Sequence, residues 1–314
     1  MQLGENLKKL YAKLKNDLSG EVSTSIPSFK KMDPDKFAIA AATVDGQVFC
    51  IGDTDDDLTI QSISKAFTYA LSLEQNGSEF LETKVGIEPT GEDFDSIIKL
   101  DDQNRPYNPM VNSGAIAVTG MISALKYPTR EEEILNYISS FAGRELSIDE
   151  KTYHSEKNNG HKNWAIAHLL RHFNVLSNNF KEDLDLYFKQ CSIKLNTKDL
   201  ALMGATLANG GVNPKTQKVC VERANLRNML SVLYTCGMYN YSGEWVFDIG
   251  LPAKSGISGG VLMVVPGIMA ISVYSPRLDK RGNSVRGIKV CEEISEIYNL
   301  HLLDFAGPKD PSEI

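Results

Sequence analysis

Ser62 and Lys65 are the pair whose types and spacing most directly suggest chemistry, because Gln61-Ser62-Ile63-Ser64-Lys65 opens a segment with apolar residues at helical spacing. Residues three apart on a helix share a face, so the Lys65 amine is placed to reach the Ser62 hydroxyl and take its proton. A serine at a helix N-terminus also has oriented backbone N–H groups and a positive dipole beside it, which favour an oxyanion developing on an attacked carbonyl. Far downstream, Lys254-Ser255-Gly256 precedes a predicted edge strand. Three other patterns lack a required part. Gly256-Ile257-Ser258-Gly259-Gly260 has the GxSxG spacing of a nucleophile elbow, but a strand follows where a helix is needed, so Ser258 reads as a turn or strand start. His168 and His172 are one helical turn apart without the glutamate of a zinc motif, and read as packing or surface residues. Asp53-Thr54-Asp55-Asp56-Asp57 begins like a calcium loop, but Leu58 stands at the glycine position and Ser64 at the glutamate position, which leaves a solvated acidic turn.

The elements that position these residues follow from periodicity. Leu3, Leu7, Leu10, Leu14 and Leu18 predict an amphipathic opening helix, with Gly20 as its C-cap. Phe37–Ile51 alternates around Asp45-Gly46 and predicts a β-hairpin. Helical spacing dominates from about 60 to 196, over Ser64–Gln75, Val111–Leu125, Arg130–Phe141, Trp164–Phe173 and Leu184–Gln190. Two more helices are expected near Leu200–Ala208 and Cys220–Leu233, then strands at Val246–Ile249, Gly260–Val265 and Ile268–Tyr274, and a closing helix over Arg286–Leu300. This order predicts an α+β fold: an antiparallel sheet of N- and C-terminal strands flanked by helices, with a helical lobe inserted and a site between. The expected division is a helix over 1–19, an α/β lobe over about 20–60 plus 197–302, a helical lobe over about 61–196, and a loose tail over 303–314.

Composition narrows the function classes. Across 314 residues, 42% are apolar and 23% charged, as in a globular chain of one large or two small domains. No apolar run approaches the ~20 residues of a membrane span. With 40 acidic against 33 basic residues, the net charge of −7 opposes the counterion-release term in nucleic-acid binding, so neither membrane nor nucleic acid is an expected partner. Five scattered cysteines without a CxxC fit a reducing, cytoplasmic compartment rather than a disulfide or zinc framework. The N-terminus shows neither a secretory signal nor a transit pattern.

Ser-x-x-Lys opening a helical lobe, paired with a late Lys-Ser-Gly, resembles penicillin-binding proteins and serine β-lactamases. A narrower resemblance is carried by Asn108-Pro109-Met110-Val111-Asn112-Ser113-Gly114-Ala115, Cys236-Gly237-Met238-Tyr239 and Gly250-Leu251-Pro252-Ala253-Lys254-Ser255-Gly256-Ile257. These segments are similar to those of the serine-dependent glutaminase family, over roughly Gly20 to His301. The resemblance implies a β-lactamase-like fold, an L-glutamine amidohydrolase yielding L-glutamate and ammonia, no metal or organic cofactor, and a homodimer or homotetramer. It casts Ser62 as the nucleophile, Lys65 as its base and Tyr239 as the proton relay to the leaving ammonia. The backbone N–H groups of Ser62 and Ile257 take the oxyanion hole; the family's usual residue at the latter position is valine, and a backbone donor tolerates the change.

The same resemblance assigns Asn112, Glu156, Asn163 and Tyr187 to the α-amino and α-carboxylate groups of glutamine. A zwitterionic head group needs an anion for its ammonium, which Glu156 supplies, and neutral donors for its carboxylate, which the other three supply. Ser25, before Ile26-Pro27, departs from the pattern, because the family carries there a tyrosine that reaches the substrate. Serine is too short for that contact, which predicts weakened glutamine use unless Tyr11 or Tyr107 compensates. Two alternatives share these residues. One is a penicillin-interactive serine hydrolase, labelled at Ser62 by a fluorescent penicillin; the other is a degenerate member that binds amino acids with little turnover.

Overall fold

The computed structural model describes residues 2–91 and 100–304. Its main sheet is built from both ends of the chain. Strands β1 (Ala38–Thr43) and β2 (Val48–Gly52) form the expected hairpin across Asp45-Gly46. Next come β3 (Asp57–Thr59), β4 (Ser147–Ile148) and β5 (Ile193–Asn196), then β6 (Ala253–Ser255), β7 (Gly260–Val265) and β8 (Met269–Tyr274). The larger sheet has the order β2-β1-β8-β7-β6 and is antiparallel throughout.

Alternation along these strands divides the core between the two faces of the sheet. Ile39, Ala41, Val261, Met263, Ile271 and Val273 pack with Leu7, Leu10 and Leu14 of the opening helix and Val290, Cys291 and Ile294 of the closing helix Val285–Tyr298. On the other face the small side chains of Ala40 and Ala42 meet Ala201 and Ala205 of helix Thr197–Ala208. The remaining core surrounds helix Ser64–Asn76, whose residues Ser64 to Leu73 are all buried. A helix buried on every side is held by its neighbours rather than by one amphipathic stripe.

Several expectations need correction. Val246–Ile249 is not a strand: Val246, Phe247 and Asp248 belong to helix Ser242–Asp248, which points Trp245 inward and leaves Phe247 85% exposed. The opening helix ends at Leu14, so Leu18 is exposed and Gly20 does not cap it. The helix read over Val111–Leu125 spans Asn112–Gly120. The segment read as helical contributes β4 and β5 to a second sheet, β3-β5-β4, whose strands of two to four residues give little or no alternation to read. Helix Glu150–Asn159 was not anticipated, because its sequence EKTYHSEKNN presents only Thr152, Tyr153 and Glu156 to the interior. Lys254 and Ser255 lie within the edge strand β6 rather than before it. Of the expected tail, all but Leu303 and Asp304 lies outside the described residues.

Candidate active site

Ser62 sits in a single 3₁₀ turn, Gln61–Ile63, that runs directly into helix Ser64–Asn76. Its backbone N–H therefore lies at a helix N-terminus, where unpaired donors and the dipole favour negative charge. Gln61, just before it, has a left-handed φ of 49°. For a residue with a Cβ that conformation costs roughly 1–2 kcal/mol, so the surroundings must hold it. They do so through the Gln61 amide, which donates to Glu156 Oε1 at 2.8 Å and to Thr59 Oγ1 and the Cys191 carbonyl, each at 3.3 Å.

Behind Ser62, the buried Lys65 amine donates to Asn112 Oδ1 at 2.6 Å, the Met110 carbonyl at 3.0 Å and the Tyr239 hydroxyl at 3.3 Å. The Tyr239 hydroxyl is in turn hydrogen-bonded with Ser62, so the phenol joins the serine to the lysine. Burial pushes this phenol well above its usual pKa, and the Ser62 hydrogen bond acts in the opposite direction. Tyr239 also has a left-handed φ, of 57°. Gly237 makes its placement feasible, because a Cβ there would lie 1.9 Å from the Ala253 carbonyl oxygen of β6. Only glycine permits this approach of Cys236-Gly237-Met238-Tyr239 to the strand that carries Lys254.

Lys254, quoted in the sequence motif but given no role, reaches the same centre. Its amine stands 3.9 Å from the centroid of the Tyr239 ring and donates to the Ser255 carbonyl at 2.9 Å. Burial first, and then the charge of Lys65, push its pKa well below the ordinary lysine value. Two amines thus flank one phenol.

In front of Ser62 is a cavity of about 340 Å³ lined by Ser25, Gln61, Ser62, Asn112, Glu156, Asn163, Tyr187 and Ile257, among others. Every residue expected to touch substrate, Tyr239 apart, lines it. Glu156 is buried, and desolvation pushes its carboxyl up to about 7 against the Gln61 hydrogen bond and the Lys65 charge. Asn112 links the cavity to the lysine: its Oδ1 accepts from Lys65 and, at 3.3 Å, from the Tyr187 hydroxyl, while its Nδ2 donates to Asn163 Oδ1 at 2.9 Å. Ile257 lies in the turn after β6. That turn is tied to the segment before Ser62 by Ser258, whose hydroxyl donates to the Thr59 carbonyl at 2.8 Å. Ser258 is thus a structural tie, as its context in the sequence suggests.

Other sequence readings resolve locally. His168 packs edge-on against Phe180 and His172 against Phe173. Asp53 and Asp56 of the acidic turn pair with Lys36. Ser25 lines the cavity but is exposed, and neither Tyr11 nor Tyr107 lines it, so neither supplies the missing phenol. Tyr11 stacks instead on Phe37, with ring centroids 5.0 Å apart. Gln61 was missed because its bonds to Glu156 and Cys191 join residues 95 and 130 positions away. No local pattern announces such contacts.

The antiparallel sheet flanked by helices gives the chain a β-lactamase-like fold. The glutaminase family model matches residues 20–303, and the chain belongs to that family. The glutaminase of a Nostoc species is 49% identical over 295 residues, which cover 94% of this chain and 88% of that one. The glutaminase of Microcystis aeruginosa is 46% identical over 303 residues, covering 96% and 90% respectively. Among solved structures, Mglu in its glutamate form superposes with a TM-score of 0.91 at 39% identity, covering 98% of this chain and 71% of that one. The chain is accordingly an L-glutamine amidohydrolase, producing L-glutamate and ammonia. Among the described residues no helix is long and apolar enough to cross a membrane.

Proposed function

We propose that this glutaminase works through a γ-glutamyl ester on Ser62. The observation that carries the reading is the bonded chain Ser62–Tyr239–Lys65 beside a cavity whose polar lining suits an amino-acid head group. Ser62 Oγ attacks the side-chain amide carbon while its proton passes towards Lys65, directly or through Tyr239. The N–H groups of Ser62 and Ile257 stabilise the oxyanion, and loss of such a donor typically costs about 2.7–4 kcal/mol. Tyr239 delivers a proton to the departing nitrogen, and water then attacks the ester to release glutamate and restore the serine.

The ammonium of glutamine pairs with Glu156, and its carboxylate takes donors from Asn112, Asn163 and Tyr187. In this reading Gln61 positions Glu156, and the Lys254 amine, 3.9 Å from the centroid of the Tyr239 ring, adjusts the field around the phenol. The glutamate form of Mglu supports a head-group site in this fold. We also propose a cytoplasmic homodimer or homotetramer, by resemblance to the family and from the cysteine usage. The deciding experiment traps the ester: brief exposure to L-glutamine followed by acid quench and peptide mass spectrometry locates a γ-glutamyl adduct on Ser62, and an adduct elsewhere refutes the assignment.

A further inference from the structure

A cavity of about 750 Å³ shares no lining residue with the one in front of Ser62. Its volume falls within the roughly 300–1,000 Å³ of small-molecule sites. Helix Arg223–Cys236 forms one wall and the C-terminal end of helix Thr197–Ala208 another. Pro252, just before β6, and Pro266 and Gly267 of the β7–β8 turn complete it, and the Gly267 N–H donates to the Ala208 carbonyl at 2.8 Å. Aliphatic side chains dominate the lining: Leu207, Leu226, Leu230 and Leu302 with the two prolines. Along helix Arg223–Cys236 the inward stripe of Met229, Val232, Leu233 and Cys236 is buried in the core. Leu226, Leu230 and Tyr234, one turn apart in succession, give the helix a further apolar edge that faces the cavity. Leu302 there is 48% exposed.

The charges at this cavity have one sign. Arg223 and Arg227, one helical turn apart, line it, and none of its described lining residues is acidic, in a chain of net charge −7. Among the described residues neither guanidinium has an ion-pair or hydrogen-bond partner. The first turn of the helix carries no acid and Glu222 supplies no side-chain cap, so free N–H groups add to the positive potential at this end. The end of helix Thr197–Ala208 presents the negative pole of its dipole instead, which directs an anion to the arginines. Aliphatic walls with a cationic end suit a carboxylate on an alkyl chain. We infer that this protein carries, apart from its active site, a binding site for a medium- or long-chain aliphatic carboxylate. Arg223 and Arg227 hold the carboxylate, and the chain lies along Leu226, Leu230 and Leu302. A second copy of the protein is the poorer occupant, since a two-fold contact would set an acid-free, arginine-bearing lining against itself.

The test is calorimetric titration of the unmodified protein with decanoate below its micelle concentration. Saturable binding is expected, about tenfold tighter than that of octanoate because two more methylenes leave water, and unchanged by saturating L-glutamate. 1-Decanol, equally long but uncharged, should bind at least about tenfold more weakly. Arg223→Gln combined with Arg227→Gln should weaken decanoate binding roughly ten- to a hundredfold and leave glutamine turnover unchanged. Ser231 is exposed, lines the cavity and stands one turn from Arg227, so Ser231→Glu pairs with that arginine and should weaken binding similarly at unchanged Tm. Decanoate binding that is absent, that survives the arginine replacements, that 1-decanol matches or that L-glutamate displaces overturns the inference. A change of oligomeric state in Ser231→Glu, read by light scattering, overturns it as well, because a second copy then occupies the groove.

Discussion

The Lys65 amine and the Tyr239 hydroxyl lie 3.3 Å apart, and the same hydroxyl is hydrogen-bonded to Ser62. The phenol therefore links the two groups proposed as base and nucleophile, and burial keeps it protonated at neutral pH. Tyr239→Phe preserves the ring beside Lys254 and removes only this link. Positioned proton transfer typically contributes about 10²–10⁴-fold, so kcat should fall by that order while KM and Tm change little. Steady-state kinetics with a thermal melt checks this, and an unchanged kcat would remove Tyr239 from the proton path.

The proposed role of Glu156 makes substrate binding depend on pH. Its carboxyl is raised to about 7 by burial, and in the proposed binding mode it pairs with a substrate ammonium only when ionised. As pH falls through about 7 the carboxylate gains a proton and loses its attraction for the ammonium, so KM for glutamine should rise on the acid side and level off above. Glu156→Gln should show a high KM at every pH and no acid limb. A KM independent of pH between 6 and 8 in the unmodified protein would contradict the assignment.

At Ser25, where the family resemblance places a tyrosine, an exposed serine lines the cavity instead. A hydrogen bond to a charged group is worth roughly 1.5–3 kcal/mol, about ten- to a hundredfold. Ser25→Tyr should therefore raise kcat/KM for glutamine by that factor. An unchanged value would show that the tyrosine contact is immaterial here.

Gly237 makes the packing of the relay testable apart from its chemistry. A Cβ at this position would lie 1.9 Å from the Ala253 carbonyl oxygen, and backbone cannot yield as a flexible side chain would. Overpacking of this kind typically costs about 1–3 kcal/mol. Gly237→Ala should lower the urea midpoint accordingly and reduce kcat through displacement of Tyr239. Retention of both would place the chain differently at this crossing.

The hairpin Ala38–Gly52 and the strands Gly260–Val265 and Met269–Tyr274 were legible because their alternation is regular and Asp45-Gly46 marks the turn. Val246–Ile249 misled because an apolar group of that length reads equally as a strand or as part of a short helix. Only Trp245 inward and Phe247 outward distinguish the two, and that contrast is tertiary. Glu156 was placed by resemblance alone, since its helix is polar and has no apolar stripe to reveal it. Ser62, Lys65 and the Lys-Ser-Gly run were visible as local motifs. The part played by Gln61, and the convergence of Lys254 on Tyr239, exist only once distant segments meet.

Ammonia release from L-glutamine, measured over a wide concentration range with Ser62→Ala as the matched control, separates a Ser62 acyl-enzyme from any other route. Saturable release is expected from the unmodified protein and none above background from the variant. Release that persists in Ser62→Ala, or that is missing from both proteins, would contradict a Ser62 acyl-enzyme.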